Sequence, residues 1–184
     1  VTNGSDVDLT GVTSGTVNVT DSAAVLTDLT ADEVNGSNSD VLIDGASMVA
    51  GDVTTCGGTL AVGGTSAVGG DVLACGVADT ITITNNATIA GNIEGAGGSD
   101  TIAILGNASV GGTIFGGADG ADGSAASDAG DTITINTTGT VGLVDAGLGN
   151  DTVTLANGTV GAVAMGGGND TATWSGGTLT SFNG

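Results

Sequence analysis

Short stretches in which apolar and polar residues alternate recur along this chain at a nearly constant interval. The clearest marker is a triplet of Gly, a polar residue and an aliphatic residue. Such triplets begin at Gly51, Gly70, Gly91, Gly112, Gly142 and Gly161, and a decayed form begins at Thr180. Successive triplets are 19 to 21 residues apart, except for one interval of 30. A fixed period of this length is typical of a protein built from stacked, repeated supersecondary units.

An alternating segment lies about ten residues before each triplet. These segments are Leu60-Ala61-Val62, Ile81-Thr82-Ile83, Ile102-Ala103-Ile104, Ile133-Thr134-Ile135, Val153-Thr154-Leu155 and Ala172-Thr173-Trp174. Alternation with period two predicts β-strands whose apolar side chains point inward. One coil cannot bury those side chains alone, so successive coils must stack. The pattern therefore predicts an all-β protein, a parallel β-solenoid with coils of about 19–21 residues, and it places Trp174 in the core.

The period also predicts the domain organisation. Residues 1–184 are expected to form a single β-solenoid domain with regular coils over 51–184. Residues 1–50 follow the period poorly, which predicts irregular N-terminal coils with a loop near 21–39. The long interval predicts a loop insertion near 116–130, where Asp, Gly, Ala and Ser predominate.

Composition narrows the possible functions. The chain has 20 acidic residues and no Lys, Arg or His, which gives a formal net charge of -20. Such a chain is repelled by polyanions, which argues against binding nucleic acid or an anionic membrane. Hydrophobic residues make up 39% of the chain, which is high for a disordered protein. No apolar run approaches the roughly 18 residues that span a bilayer, so no membrane insertion is expected. The expected location is secreted or at the cell surface.

Three Gly-rich segments suggest a family. They are Gly-Gly-Ser-Asp-Thr-Ile at 97–102, Gly-Leu-Gly-Asn-Asp-Thr-Val-Thr-Leu at 147–155 and Gly-Gly-Gly-Asn-Asp-Thr-Ala-Thr at 166–173. With the Gly-Thr-Val-Gly turns that follow, they resemble the β-helical passenger domains of bacterial autotransporters and related large repeat adhesins. The resemblance covers about residues 50–184, and it implies a rod at the cell surface.

The Gly-Asn-Asp-Thr loops also resemble the calcium-binding repeats of the RTX type. Asp151 and Asp170 lie one coil apart and are expected to stack on one edge, with Asp131 one coil below. Carboxylate and carbonyl oxygens are hard ligands that suit Ca²⁺, so these three residues form a candidate calcium site. The alternative is that each Asp caps its own strand through the amide of Thr152 or Thr171.

Two cysteines are also one coil apart. Cys56 and Cys75 each lie three residues after the aliphatic residue of a triplet. Neighbouring coils place equivalent Cα atoms near 5 Å apart, a separation that a disulfide tolerates. We expect a Cys56–Cys75 disulfide in an oxidising compartment, and the alternative is two stacked thiols that pack as small hydrophobes.

The outward positions of the alternating segments carry threonine. The Thr-x-Thr pairs are Thr80/Thr82, Thr132/Thr134, Thr152/Thr154 and Thr171/Thr173. Stacked pairs would form a flat array of hydroxyl and methyl groups like that of solenoid ice-binding proteins. The alternative is that threonine is the polar residue that best suits a pleated surface.

No catalytic constellation stands out. A serine or cysteine nucleophile would have no His or Lys partner in this chain, so we expect no enzyme activity. The expected function is a structural rod of the adhesin or passenger-domain type. The alternative is a self-assembling subunit of an extracellular filament, sheath or surface layer, because a solenoid ends in open strand edges. Its expected partners are copies of itself or a host or cell surface.

Overall fold

The computed structural model of this chain describes residues 6–117 and 129–184. These residues form nineteen β-strands in one sheet, and every strand pair is parallel. In chain order the strands are β1 Val7–Thr10, β2 Thr13–Thr20, β3 Ala23–Thr27, β4 Thr30–Ser37, β5 Asp40–Asp44, β6 Met48–Val49, β7 Val53–Thr54, β8 Thr59–Val62, β9 Ala67–Val68, β10 Val72–Leu73, β11 Thr80–Ile83, β12 Thr88–Ile89, β13 Ile93–Glu94, β14 Thr101–Gly106, β15 Ser109–Phe115, β16 Thr132–Asp145, β17 Thr152–Ala164, β18 Thr171–Trp174 and β19 Thr178–Asn183. No helix in these residues is long and apolar enough to cross a membrane.

The sheet winds into a β-solenoid of about nine coils, which confirms the predicted fold class. Each coil crosses three faces, as one coil illustrates: β8 lies on the first face, β9 on the second and β10 on the third. In the longer strands β16 and β17, one continuous strand passes across all three faces. The triplets used to find the period are thus the third strand of each coil rather than a bend.

The predicted inward columns are buried. Ile81, Ile83, Ile102 and Ile104 have no exposed surface, and the equivalent side chains of the next two coils are at most 3% exposed. Each residue packs on its partner one coil away, as Ile83 does on Ile104. Stacked β-branched side chains fill the interior without polar atoms, so burial of these columns is the main stabilising contribution.

The N-terminal region is more regular than predicted, and the loop expected near 21–39 is wrong. Those residues form β3 and β4, and Val7, Ala24 and Val41 are in register at a spacing of 17 residues. Asp21, Asp28 and Asn38 take left-handed φ values near 50°, which allow tight corners. The polar residues that predicted a loop therefore serve as corners of shorter coils.

The expected insertion lies largely on residues 118–128, which are outside the described residues. On either side of it the register is kept: Ile102 pairs with Ile133, 31 residues later. A coil can therefore carry about ten extra residues without disturbing the first face.

The polar residue of each triplet connects neighbouring coils. The Oδ1 of Asp52 accepts a hydrogen bond from the Asp71 amide at 2.8 Å, and Asp71 accepts from the Asn92 amide at 2.6 Å. The preceding glycine makes room for this contact, because a Cβ on Gly91 would come within 2.1 Å of the Asp71 Oδ1. The triplet is thus explained by one inward aliphatic residue, one inter-coil acceptor and one position with no side chain.

Trp174 pairs with Leu155 as its alignment predicted, but its predicted burial is wrong. Its side chain is 60% exposed, whereas Leu155 is 3% exposed. The reason is that Trp174 belongs to the last coil, on which no further described coil packs.

We predict that Ile104→Asp destabilises the protein by about 3–5 kcal/mol, because it places a carboxylate among aliphatic side chains. The matched control is Ala103→Asp, one position along the same strand and pointing outward, which should cost less than about 1 kcal/mol. Denaturant unfolding of the two variants measures the difference. Equal costs would contradict the observed facing of β14.

Candidate functional site

The most unusual polar feature is a column of aspartates at the start of the first face. We call Asp79, Asp100, Asp131, Asp151 and Asp170 the aspartate ladder. The first four are only 1–3% exposed, although the chain contains no basic residue that could neutralise them. Burying a carboxyl group is unfavourable unless it is well hydrogen-bonded, so the contacts of this column decide what it can do.

Each carboxyl group in the ladder bonds to the main chain of the coil before it. The Oδ1 atoms of Asp100 and Asp131 accept hydrogen bonds from the amides of Asp79 and Asp100, both at 2.7 Å. Asp151 and Asp170 accept from the amides of Asp131 and Asp151 at 2.8 and 3.0 Å. A carboxyl group that accepts a main-chain amide makes one of the stronger neutral-to-charged hydrogen bonds. The ladder therefore joins coils at a point where a strand begins.

Asp79 closes the ladder at its N-terminal end with a richer set of contacts. Its carboxyl group accepts hydrogen bonds from the Gly58 amide at 3.2 Å and from the Thr55 hydroxyl and the Cys75 amide at 3.4 Å. Further toward the N-terminus serine takes over the same role, since the Ser22 amide donates to the Ser39 Oγ at 3.4 Å. The column thus continues as hydroxyl groups where the coils are shorter.

The predicted site residues Asp131, Asp151 and Asp170 do stack on one edge, one coil apart. The alternative of local capping takes a different form from the one expected, because the acceptor serves the preceding coil and not the Thr152 or Thr171 amide. Sequence analysis overlooked Asp79 and Asp100. The signal for them was present, since both precede a threonine that begins a first-face strand, as the other three do.

The ladder offers a metal ion an edge and not a cluster. Within the described residues, no group of three or more acidic, Cys or His side chains is placed to hold a metal ion. Ca²⁺ requires six to eight oxygen ligands around one point, whereas each ladder carboxyl group is engaged with a separate amide. Calcium binding by Asp131, Asp151 and Asp170 stays a prediction.

The two cysteines are joined by a disulfide. Cys56 and Cys75 lie at the corner between the third and first faces, with their Cα atoms 5.1 Å apart. This link closes a loop of 19 residues, and a loop of that size contributes on the order of 3 kcal/mol through the unfolded state. It is placed one coil before the first residue of the aspartate ladder, whose Asp79 also binds the Cys75 amide.

The outward threonines form two parallel columns on the first face. One column is unbroken over six coils and consists of Thr59, Thr80, Thr101, Thr132, Thr152 and Thr171. The second holds Thr82, Thr134, Thr154 and Thr173, with Ala103 between the first two. The Thr-x-Thr pairs are therefore consecutive over the last three coils only. Ice binding through these pairs stays a prediction.

The fold and these columns define the chain as a parallel β-solenoid whose coils are connected by side-chain ladders. No family model, no curated protein and no solved structure matches the chain. The resemblance to autotransporter passenger domains and to RTX repeats therefore depends on the short Gly-Asn-Asp-Thr motifs alone.

We predict that Asp151→Ala destabilises the protein by about 1–3 kcal/mol, because the buried Asp131 amide loses its acceptor. Asp151→Asn keeps an oxygen at that position and should cost clearly less. Asp32→Ala, which removes an exposed carboxyl group, serves as the control for the loss of one negative charge. Urea unfolding of the three variants tests this ranking, and an Ala variant no less stable than the Asn variant would contradict the ladder's structural role.

The calcium prediction has a separate test. Thermal unfolding at constant ionic strength is compared in EDTA, Mg²⁺ and Ca²⁺, for the natural chain and for Asp151→Asn/Asp170→Asn. A specific site predicts that Ca²⁺ raises the midpoint more than Mg²⁺ and that the double variant loses this difference. Equal responses to the two ions would show only general screening of the negative charge.

Proposed function

We propose that this chain is a non-catalytic structural rod located outside the cell, of the kind that displays or anchors a surface in adhesins and passenger domains. The observation that carries the proposal is the unbroken stack of about nine coils on one axis. Such a stack gives length and stiffness without a concave site, because each coil contacts only its neighbours. The outward side chains on the first face are mainly Thr and Asp, which suits a solvated wall.

The chemistry of the side chains supports a role without catalysis. Both cysteines are in a disulfide, and no His or Lys is present to activate a hydroxyl group. The buried carboxyl groups of the aspartate ladder already accept main-chain amides. These residues therefore serve the connection between coils.

The Cys56–Cys75 disulfide and the acidity support an extracellular location. Disulfides of structural proteins persist where the surroundings are oxidising. A chain with 20 acidic and no basic residues also stays soluble and avoids anionic polymers. The partners proposed are a host or cell surface along the sides of the rod, or further copies of the chain.

A second candidate is a subunit of a filament, sheath or surface layer. The observation that favours it is the last coil, in which Trp174 and Phe182 are 60% and 53% exposed. Large aromatic side chains exposed together on one end of a molecule are typical of a contact surface.

We predict that antibodies against the folded chain label intact cells of the organism that makes it. Immunogold electron microscopy of intact and permeabilised cells is the measurement, with an antibody against a cytoplasmic protein as the control. A rod at the surface gives gold particles on intact cells along thin projections or a surface coat. Labelling that requires permeabilisation would overturn the extracellular proposal.

A further inference from the structure

The two ends of the solenoid differ in charge and in apolar exposure. In the last coil, formed by β18 and β19, the side chains of Trp174 and Phe182 are more than half exposed. Their column partners one coil below, Leu155 and Val163, are only 3–4% exposed. Residues 171–184 contain no acidic residue, although the chain as a whole carries 20. The first coil, in contrast, exposes Asp6 and Asp8.

Both end coils also leave strand edges open. Among the described residues, β18 and β19 pair only with β17 on their inner side. At the other end, β1 pairs only with β3, and β2 pairs only with β4. Open edges of parallel strands present main-chain donors and acceptors that can pair with another chain.

We propose that the last coil of one molecule binds the first coil of a second copy, so that the solenoid continues from subunit to subunit. This inference rests on the proposed structural role and specifies its partner. Both end coils occupy the same three faces, in the same order and with the same strand direction. The contact would therefore repeat the coil-to-coil interface that each molecule already contains several times over.

The internal register predicts which residues meet. One inward column runs through Leu9, Leu26, Ile43, Val62, Ile83, Ile104, Ile135, Leu155 and Trp174. A second runs through Val17, Val34, Val53, Val72, Ile93, Ile114, Val144, Val163 and Phe182. The next position above Trp174 is then Leu9 of the second copy, and the next above Phe182 is Val17. Both new pairs are apolar, as every pair below them is.

Charge and geometry favour this polarity over the two symmetric contacts. Joining two first coils would bring Asp6 and Asp8 of each copy together without a cation to separate them. Joining two last coils by a two-fold axis would reverse the strand direction and the order of the faces, so that the columns could not continue. In the head-to-tail contact, Asp6 and Asp8 lie opposite Thr171 and Thr173, which are uncharged. A heterologous contact of this kind does not close and produces an open filament.

The register is tested by cysteine cross-linking of the purified 184-residue chain. Thr173→Cys/Asp8→Cys places two exposed thiols in the predicted register, at a separation that the Cys56–Cys75 pair already bridges within the chain. Mild oxidation should give a ladder of covalent oligomers on a non-reducing gel. The matched control is Thr173→Cys/Thr10→Cys, in which the second thiol is displaced by two residues, about 7 Å, and should not form the ladder.

The apolar contact is tested by Trp174→Asp/Phe182→Asp. Both side chains are exposed in the single molecule, so the circular dichroism spectrum and thermal midpoint of the unassembled subunit should change little. The concentration needed for polymers, measured by sedimentation and electron microscopy, should rise more than about tenfold because two carboxyl groups would face Leu9 and Val17. Met48→Asp, at a 62% exposed side position, adds a charge without touching an end and should leave assembly unchanged.

Three outcomes would overturn the inference. They are a chain that stays monomeric at all concentrations, a Thr173→Cys single variant that is cross-linked as a symmetric dimer, and a ladder that is equally strong in the displaced control. None of them bears on the immunogold result. A monomer found on the cell surface would therefore remove the head-to-tail contact and leave the proposed rod in place.

Discussion

The parallel main-chain ladder between successive coils is the constraint on which the rest of this structure depends. Each strand must pair with the strand one coil below, so every coil repeats the phase of its predecessor on all three faces. Coil length, in contrast, is free to vary at the corners. The same column passes through Val7, Ala24 and Val41 at 17-residue spacing and later spans 31 residues between Ile102 and Ile133. What is conserved along the solenoid is therefore register and not repeat length.

Stacking in register places like side chains about 4.8 Å apart, which has opposite consequences for apolar and acidic columns. For Ile83 and Ile104 the proximity excludes water and stabilises the core. For Asp131 and Asp151 it brings two acidic groups together in a chain without a cation. The amide bonds between coils offset part of this cost, because each carboxyl group receives a donor from the strand start of its neighbour. The aspartate ladder is thus stabilised by the same main-chain geometry that creates its problem.

The success and the failure of sequence analysis follow from the same constraint. Inward positions such as Ile104 and Leu155 were predictable because alternation and period together fix their facing. The 17-residue coils were missed because the period had been taken from the later triplets, and corner residues such as Asp28 look like loop residues in a sequence. The exposure of Trp174 depends on which coil is last, and alternation carries no information about ends. The ladder bonds of Asp79 and Asp100 were also missed, because they form between residues 21 to 31 positions apart.

The distribution of charge along the rod has a further consequence for assembly. Exposed carboxyl groups such as Asp21, Asp32 and Glu33 lie on the sides of the first coils, and no basic residue on another copy can compensate them. Lateral approach of two rods therefore brings like charges together, and this repulsion is strongest at low salt. The axial approach in the proposed contact is different, since the last coil contributes no charge and exposes Trp174 and Phe182. Repulsion along the sides and apolar burial at the end then act together, so that addition at the end of a rod is favoured over bundling.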